Sequence, residues 1–159
     1  MSLDISKLAL PDRIDHVGVG VKDAQKTADL LSSIWGLPPC PVIEISLNKD
    51  NLILGEPWSV KLAFVNLGPV ALEVCEPLEG DSFFHRFLRK WGEGVNHIGF
   101  SVSNWDETVD MFKQRGIRMI MAGIFENKRW CYFETQPGGI VIEFMENYGI
   151  HNYKVQTNS

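Results

Sequence analysis

The chain has 159 residues, of which 45% are hydrophobic and 22% charged, a balance typical of a globular domain rather than a disordered chain. Its net charge of −5 argues against a nucleic-acid partner. Its longest apolar runs are far too short to span a bilayer, so we expect no membrane partner.

Polar and apolar residues alternate in residues 1–12, which predicts an exposed arm. No basic segment followed by an apolar one marks a secretory signal there. The three cysteines, Cys40, Cys75 and Cys131, are an odd number without CxxC spacing. Cys75 and Cys131 lie within apolar, strand-like runs. We therefore expect free thiols and a cytoplasmic location.

A segment that begins at Arg13 is repeated from Gly94. RIDHVGVGVKDAQKTADLL aligns without gaps on GVNHIGFSVSNWDETVDMF at an offset of 81 residues, which places His16 on His97. A second match, at an offset of 70, aligns ALEVCE (residues 71–76) with VIEFME (residues 141–146) and places Glu73 on Glu143. Two matches in the same order predict an internal duplication.

The first strand of each copy alternates apolar residues with histidine and glycine. This alternation predicts that Ile14, His16, Gly18 and Gly20 share one face of the first copy, and Val95, His97, Gly99 and Ser101 one face of the second. A helix follows each strand. Asp23 is expected to cap the first helix, with the apolar stripe Ala24, Ala28, Leu31 and Trp35, and Asn104 with Glu107 to form a capping box on the second.

A third helix, at about residues 82–91, is predicted to link the copies, with a buried stripe of Phe84, Phe87, Leu88 and Trp91. Paired strands are predicted at residues 60–67 with 70–76, and at 130–135 with 140–145. Residues 38–58 form either an active-site loop or an irregular strand. The expected order is therefore an arm (1–12), a βαβββ module (13–80), a linking helix (81–93), a second βαβββ module (94–147) and a tail (148–159), within one α+β domain.

Strand geometry indicates a metal site. His16 and His97 share their strand faces with glycines, while Glu73 and Glu143 project opposite to their apolar neighbours. A carboxylate within LEV or IEF is costly to bury alone. Taken alone, each histidine is more often a core or surface residue than a metal ligand, and each glutamate is more often an outward-facing residue. The repetition of both residue types at equivalent strand positions favours a shared site, in which a pseudo-twofold axis brings the four side chains together. Two imidazoles and two carboxylates suit one divalent ion, Co, Ni, Mn, Zn or Fe, in an open, catalytic site.

Four segments, IDHVGVGVKD, LEVCEPL, VNHIGFSV and GGIVIEFME, resemble the ligand-bearing strands of the vicinal oxygen chelate superfamily, which includes glyoxalases, extradiol dioxygenases, methylmalonyl-CoA epimerase and bleomycin-resistance proteins. The resemblance covers residues 13–146. It implies a curved, half-barrel mixed sheet and a homodimer. It also places His16, Glu73, His97 and Glu143 on the metal ligands of the superfamily.

Residues 64–102 are most similar to methylmalonyl-CoA epimerase. That resemblance implies an isomerase that removes and returns the proton beside the thioester of an acyl-CoA through a metal-stabilised enolate. Two features differ from the epimerase pattern. Lys61 or Leu62 stands where some members carry a proposed glutamate base, and FENKRWCYFETQPGG replaces a Gly-rich loop and an HP turn.

Glyoxalase I, or lactoylglutathione lyase, is the alternative that the same ligand set resembles. Its substrate is a thiol hemithioacetal, and Glu143 or Glu73 would be the base. A non-catalytic, bleomycin-resistance-like binding protein is the third possibility, although the intact ligand set favours an enzyme. Glu44, Glu56, Glu126 and Glu134 are expected at the surface, while Trp58, Phe125 and Trp130 are candidates for lining the pocket.

Overall fold

A computed structural model describes residues 11–136 and 139–147 of the chain. The elements in chain order are β1 (Arg13–Gly20), α1 (Ala24–Ile34), β2 (Val42–Leu47), β3 (Leu52–Leu54), β4 (Trp58–Asn66), β5 (Ala71–Gly80), α2 (Phe83–Trp91), β6 (Gly94–Val102), α3 (Trp105–Gln114), β7 (Arg118–Phe125), β8 (Lys128–Glu134) and β9 (Val141–Glu146). Most of the predicted arm and all of the predicted tail lie outside the described residues.

All nine strands form one sheet in the order β2-β4-β5-β1-β6-β9-β8-β7-β3, nearly closed into a half-barrel. The first copy contributes β2-β4-β5-β1 and the second contributes the mirrored order β7-β8-β9-β6. β1 runs parallel to β5 as β6 runs parallel to β9, and β1 meets β6 antiparallel at the centre. This arrangement confirms the predicted α+β half-barrel with a pseudo-twofold axis between β1 and β6.

The region at residues 38–58 contains two strands. β2 pairs with β4 and forms one edge of the sheet, while the short β3 crosses to pair with β7 of the second copy. Within the described part of the second half, β3 has no counterpart, so it is an addition to the duplicated pattern. It ties the first copy to the far edge of the second.

Two β-bulges in the β1–β6 pair interrupt the alternation of side-chain faces that was predicted for these strands. Ile14 pairs with Phe100 and His16 with Gly99, which leaves Asp15 as an extra residue in β1. Val19 pairs with Val95 and Gly18 with His97, which leaves Asn96 as an extra residue in β6. One inserted residue reverses the alternation beyond it. The prediction that Ile14 shares the face of His16, and Val95 that of His97, is therefore wrong, and both side chains are exposed on the opposite, outer face.

Of the helices in the described residues, two cover the outer face of the sheet and one covers the inner face. α1 buries Ala24 and Ala28 against Val65 and Val74 on the outer face, and α3 buries Trp105 and Val109 there against β8 and β9. α2 packs Phe83 and Phe84 against the inner face, in a cluster that includes Trp58 and Tyr132. The predicted stripes are wrong at their last residues, since Trp35 and Trp91 lie at helix ends and are exposed.

The helix caps follow the sequence in part. Asp23 accepts a hydrogen bond from the Lys26 backbone N–H at 2.9 Å, as expected for an N-cap. Asn104 precedes α3 but makes no cap bond, and its amide donates instead to Glu107. The predicted capping box at α3 is therefore wrong. Within the described ranges, no helix is long and apolar enough to cross a membrane.

Candidate metal centre

Two rows of residues cross the middle of the sheet on its inner face. One row comprises the successive cross-strand partners Phe64, Glu73, Gly18 and His97. The other comprises Tyr132, Glu143, Gly99 and His16. Partners in register point to the same face of a sheet. The duplication therefore places a glutamate and a histidine on either side of a glycine, twice.

The two glycines make room for the imidazole rings. A Cβ atom added to Gly99 would lie 2.0 Å from Cε1 of His16, and one added to Gly18 would lie 1.9 Å from Cε1 of His97. Both distances are far too short for a contact between non-bonded atoms, so an alanine at either position would clash with the ring. The histidine and the glycine two residues later are therefore one structural motif, in which each ring lies over the glycine of the other copy.

The four predicted ligands come together at this point. His16, Glu73, His97 and Glu143 are all buried, and one ligand atom from each lies within 4.8 Å of the others. The Nε2 atoms of His16 and His97 are 3.0 Å apart. Glu143 Oε2 lies 2.8 Å from His16 Nε2, and Glu73 Oε2 lies 3.1 Å from His97 Nε2.

Charge couples the four groups. Burial by itself would lower the pKa of His16, but the charge of Glu73 and the hydrogen bonds of Asp15 and Glu143 raise it to about 10. Burial by itself would raise the pKa of Glu143, but the hydrogen bonds and charges of His16 and His97 lower it to about 2. The pKa of His97 is raised, against the effect of burial, by its hydrogen bonds with Glu143 and Glu73. A positive charge is thus stabilised between the two carboxylates.

A divalent cation fits this donor set. When both imidazoles are neutral, with their protons on Nδ1, four atoms that carry lone pairs face one another. In that state Glu143 Oε2 is buried and receives no hydrogen bond. Buried acceptors that face each other need a cation or protons between them. Two imidazole nitrogens and two carboxylate oxygens are ligands that Co, Ni, Mn, Zn and Fe accept.

An apolar cavity lies beside the cluster. Glu73, Glu143 and Tyr132 form its polar part, and Lys128 and Arg129 are its cationic lining residues. The remaining lining is apolar and comes from both copies: Ile43, Ile45, Leu47, Trp58, Val60, Leu62, Phe64, Phe125, Trp130 and Met145. Trp58, Phe125 and Trp130 therefore occupy the pocket-lining positions that the sequence suggested.

Neither the position of the proposed family base nor the four other glutamates named from the sequence adds a carboxylate to this cavity. Leu62 lines it, whereas Lys61 projects from the opposite face of β4 towards Glu76, at 3.6 Å. Glu44, Glu56 and Glu126 are exposed, as expected, and Glu134 is bound by Arg118. Among the described residues that line the cavity, the carboxylates are therefore those of Glu73 and Glu143.

Three residues at the site were not identified from the sequence. Asp15 and Asn96 contact the two histidines, and an acid or amide before each His at the 81-residue offset was a signal for them. Tyr132 packs against His97 with ring centroids 5.1 Å apart, and burial with the charges of Glu143 and Glu73 raises its pKa. Its pseudo-symmetric counterpart is Phe64, so no repeated residue marked it.

Comparison with known proteins agrees with this fold and site. The family model described as "Glyoxalase/Bleomycin resistance protein/Dioxygenase superfamily" matches residues 15–133. The uncharacterized protein YqjC of Bacillus subtilis is 29% identical over 142 residues, 87% of this chain and 94% of that protein. Mitochondrial methylmalonyl-CoA epimerase of Bos taurus is 30% identical over 112 residues, which cover 68% of this chain and 57% of the bovine protein.

A solved structure supports the fold independently. Methylmalonyl-CoA epimerase of Streptomyces coelicolor, a variant in complex with 2-nitronate-propionyl-CoA, superposes with a TM-score of 0.62 at 22% identity, over 88% of this chain and 100% of that one. The half-barrel sheet is built from duplicated modules and carries a cluster of histidines and glutamates on its inner face. These features together define a glyoxalase-like class of protein. The chain belongs to the glyoxalase/bleomycin resistance/dioxygenase superfamily.

Proposed function

We propose that this chain is a divalent-metal-dependent enzyme that transfers a proton at the carbon beside a carbonyl group, and that it is most like methylmalonyl-CoA epimerase. The observation that carries the proposal is the set of His16, Glu73, His97 and Glu143, which borders a cavity that is otherwise mainly apolar. A divalent cation in this set supplies a Lewis acid that stabilises the negative charge of an enolate.

Glu73 and Glu143 are the proposed proton carriers. They project from β5 and β9, on either side of the two central strands, and both line the cavity. Their placement suits the two faces of a planar enolate, so one carboxylate can remove a proton and the other can return it. The apolar walls exclude water, which strengthens electrostatic interactions inside the site.

The apolar lining supports a small-molecule substrate with an apolar group next to the reacting carbon. Ile43, Ile45 and Leu62 form the wall of the first copy, and Trp130 and Met145 that of the second. Arg129 is held by Glu146 and Asp106, so Lys128 is the better candidate for an anionic part of the substrate. An acyl-CoA thioester meets these requirements.

Glyoxalase I-like chemistry, on a thiol hemithioacetal, is the second candidate. It is favoured by Leu62, because this apolar residue lines the cavity where some members of the epimerase family carry a proposed glutamate base, so the epimerase pattern is incomplete here. A single carboxylate suffices for that reaction, since the proton moves between adjacent carbons on one face of the substrate.

Two assays on the metal-loaded protein separate these candidates. Epimerase activity predicts deuterium incorporation at C2 of methylmalonyl-CoA in D₂O, and glyoxalase activity predicts turnover of the hemithioacetal of methylglyoxal with a thiol. Glu143→Gln should abolish either activity, whereas Glu44→Gln, on the exposed face of β2, should leave it intact. A metal-loaded protein that is inactive in both assays would contradict the proposal and favour a ligand-binding protein.

We also propose a homodimer in the cytoplasm. α1 packs on β4 and β5 and α3 on β7, so the outer face of β1 and β6 lies between them. Ile14, Val17, Val95 and Ile98 are on this face, and Val95 is 62% exposed. Exposed apolar patches of this kind often mark interaction sites. A face that contains a pseudo-twofold axis is well suited to pairing with a second copy.

A further inference from the structure

The two residues that precede the metal-binding histidines are both displaced by bulges. Asp15 and Asn96 are the extra residues of β1 and β6, and each lacks a Cα partner across the β1–β6 pair. Regular alternation would direct both side chains to the outer face. Both are instead buried together with the following histidines. β-Bulges commonly re-aim a side chain next to a functional site.

Each re-aimed side chain contacts the histidine that follows it. Asn96 Oδ1 lies 2.6 Å from Nδ1 of His97, and Asp15 Oδ1 lies 3.4 Å from Nδ1 of His16. Arg13 contacts the second oxygen of Asp15 at 3.3 Å. Both contacts involve Nδ1, whereas Nε2 of each ring faces the other ligands. The duplication has therefore kept one arrangement in both copies, with an anionic acceptor in one and a neutral acceptor in the other.

We infer that Asp15 and Asn96 are positioning residues, which hold the proton of each imidazole on Nδ1 and so leave Nε2 free to bind the cation. This inference rests on the proposed metal function. An acceptor at Nδ1 fixes both the tautomer and the ring orientation. The amide of Asn96 supports this, because its Nδ2 is buried without a partner. Among the described residues, the hydrogen-bond contact made by that buried amide is the one between its Oδ1 and Nδ1 of His97.

The test is the Co²⁺ affinity of the purified chain, measured by competition with a chelator. Asp15→Ala and Asn96→Ala should each lower the affinity by roughly 10- to 100-fold, the usual effect of removing such a partner. Asp15→Asn and Asn96→Asp keep an acceptor oxygen and should bind Co²⁺ nearly as well as the wild type. Thr108→Val, which removes a buried hydroxyl on α3, should leave the affinity unchanged.

A second measurement does not depend on the alanine variants. In the Zn²⁺-loaded wild type, ¹⁵N NMR should show Nδ1 of His16 and His97 carrying a slowly exchanging proton, with Nε2 bound to the metal. Co²⁺ affinity unchanged in Asn96→Ala, or coordination through Nδ1, would overturn the inference. A wild type that binds no cation would instead remove the proposed metal function, and with it the basis of the inference. A wild type that binds Co²⁺ but has no enzymatic activity would leave the positioning role intact.

Discussion

Gly18 and Gly99 have only a hydrogen atom as their side chain, and this decides whether the four proposed metal ligands can meet. Each glycine is the cross-strand partner of a histidine from the other copy, and the imidazole ring occupies the volume where a Cβ atom would lie. The side chains at the site are thus held by packing against backbone rather than by their own conformational preferences. Preorganised ligands of this kind lose little entropy when they bind a cation.

Gly99→Ala should therefore displace His16, because the new Cβ would lie 2.0 Å from Cε1 of its ring. We expect at least a tenfold loss of Co²⁺ affinity, comparable to the loss of a partner that orients a ligand. Ser101→Ala is the matched control, since it truncates a buried side chain on the same strand without adding atoms near His16. Equal Co²⁺ affinity in the wild type and Gly99→Ala would show that the ring does not need this space.

At the scale of the elements, the sequence predicted the repeated strands and helices because each has a strong period and its own cap or turn. It could not predict the bulges at Asp15 and Asn96, since an extra residue in a ladder is apparent only from pairing with a partner strand. The same limit explains Ile14 and Val95, whose faces were wrongly assigned. The convergence of His16, Glu73, His97 and Glu143 was easier to predict than the strand faces around them, because the duplication marks each residue type twice.

In α2 the apolar spacing of the sequence predicted the helix correctly but did not fully predict which side of the helix is buried. The apolar spacing indicated a helix, but the buried pair is Phe83 and Phe84, and Trp91 at its end is 61% exposed.

Phe84→Ala should destabilise the protein by about 3–5 kcal/mol, the usual cost of a large cavity in a core. Trp91→Ala on the same helix should change the free energy of unfolding by less than about 1 kcal/mol. Urea unfolding of both variants checks this, and similar losses would contradict the described helix orientation.

At the scale of the whole molecule, two copies of one unit make a site that neither can make alone. β5 and β1 carry Glu73 and His16, and β6 and β9 carry His97 and Glu143. Stability of the domain and occupancy of the site are therefore linked. Any cation that binds only the folded state stabilises it by mass action.

The metal-free protein should show this linkage in its pH dependence. His16 has a pKa of about 10 in the folded chain against an ordinary value of 6.5, so its contribution to stability is fully present below pH 6.5 and is lost as the pH rises towards 10. Glu143 contributes above pH 4.5 and its contribution is lost as the pH falls towards 2. Urea midpoints after treatment with a chelator should fall from pH 6.5 to 9 in the wild type and less in His16→Gln. Parallel pH profiles for the two proteins would contradict this coupling.

The outer face of β1 and β6 gives a prediction for assembly. Val95→Lys places a charge in the exposed apolar patch on the outer face of β6. Light scattering after gel filtration should report a dimer for the wild type and a monomer for this variant. Ile53→Lys, at an exposed position on β3, is the control and should remain dimeric. A monomeric wild type would contradict the proposed homodimer.

The most direct test of the metal site is elemental analysis of the chain purified without a chelator. Convergence of His16, Glu73, His97 and Glu143 on one point predicts close to one divalent ion per chain, and its loss in a folded His97→Ala variant. Circular dichroism and the urea midpoint establish that the variant is folded. A wild type without metal that also fails to bind added Co²⁺, Ni²⁺, Mn²⁺, Zn²⁺ or Fe²⁺, or a folded His97→Ala variant that retains a full complement, would contradict the account.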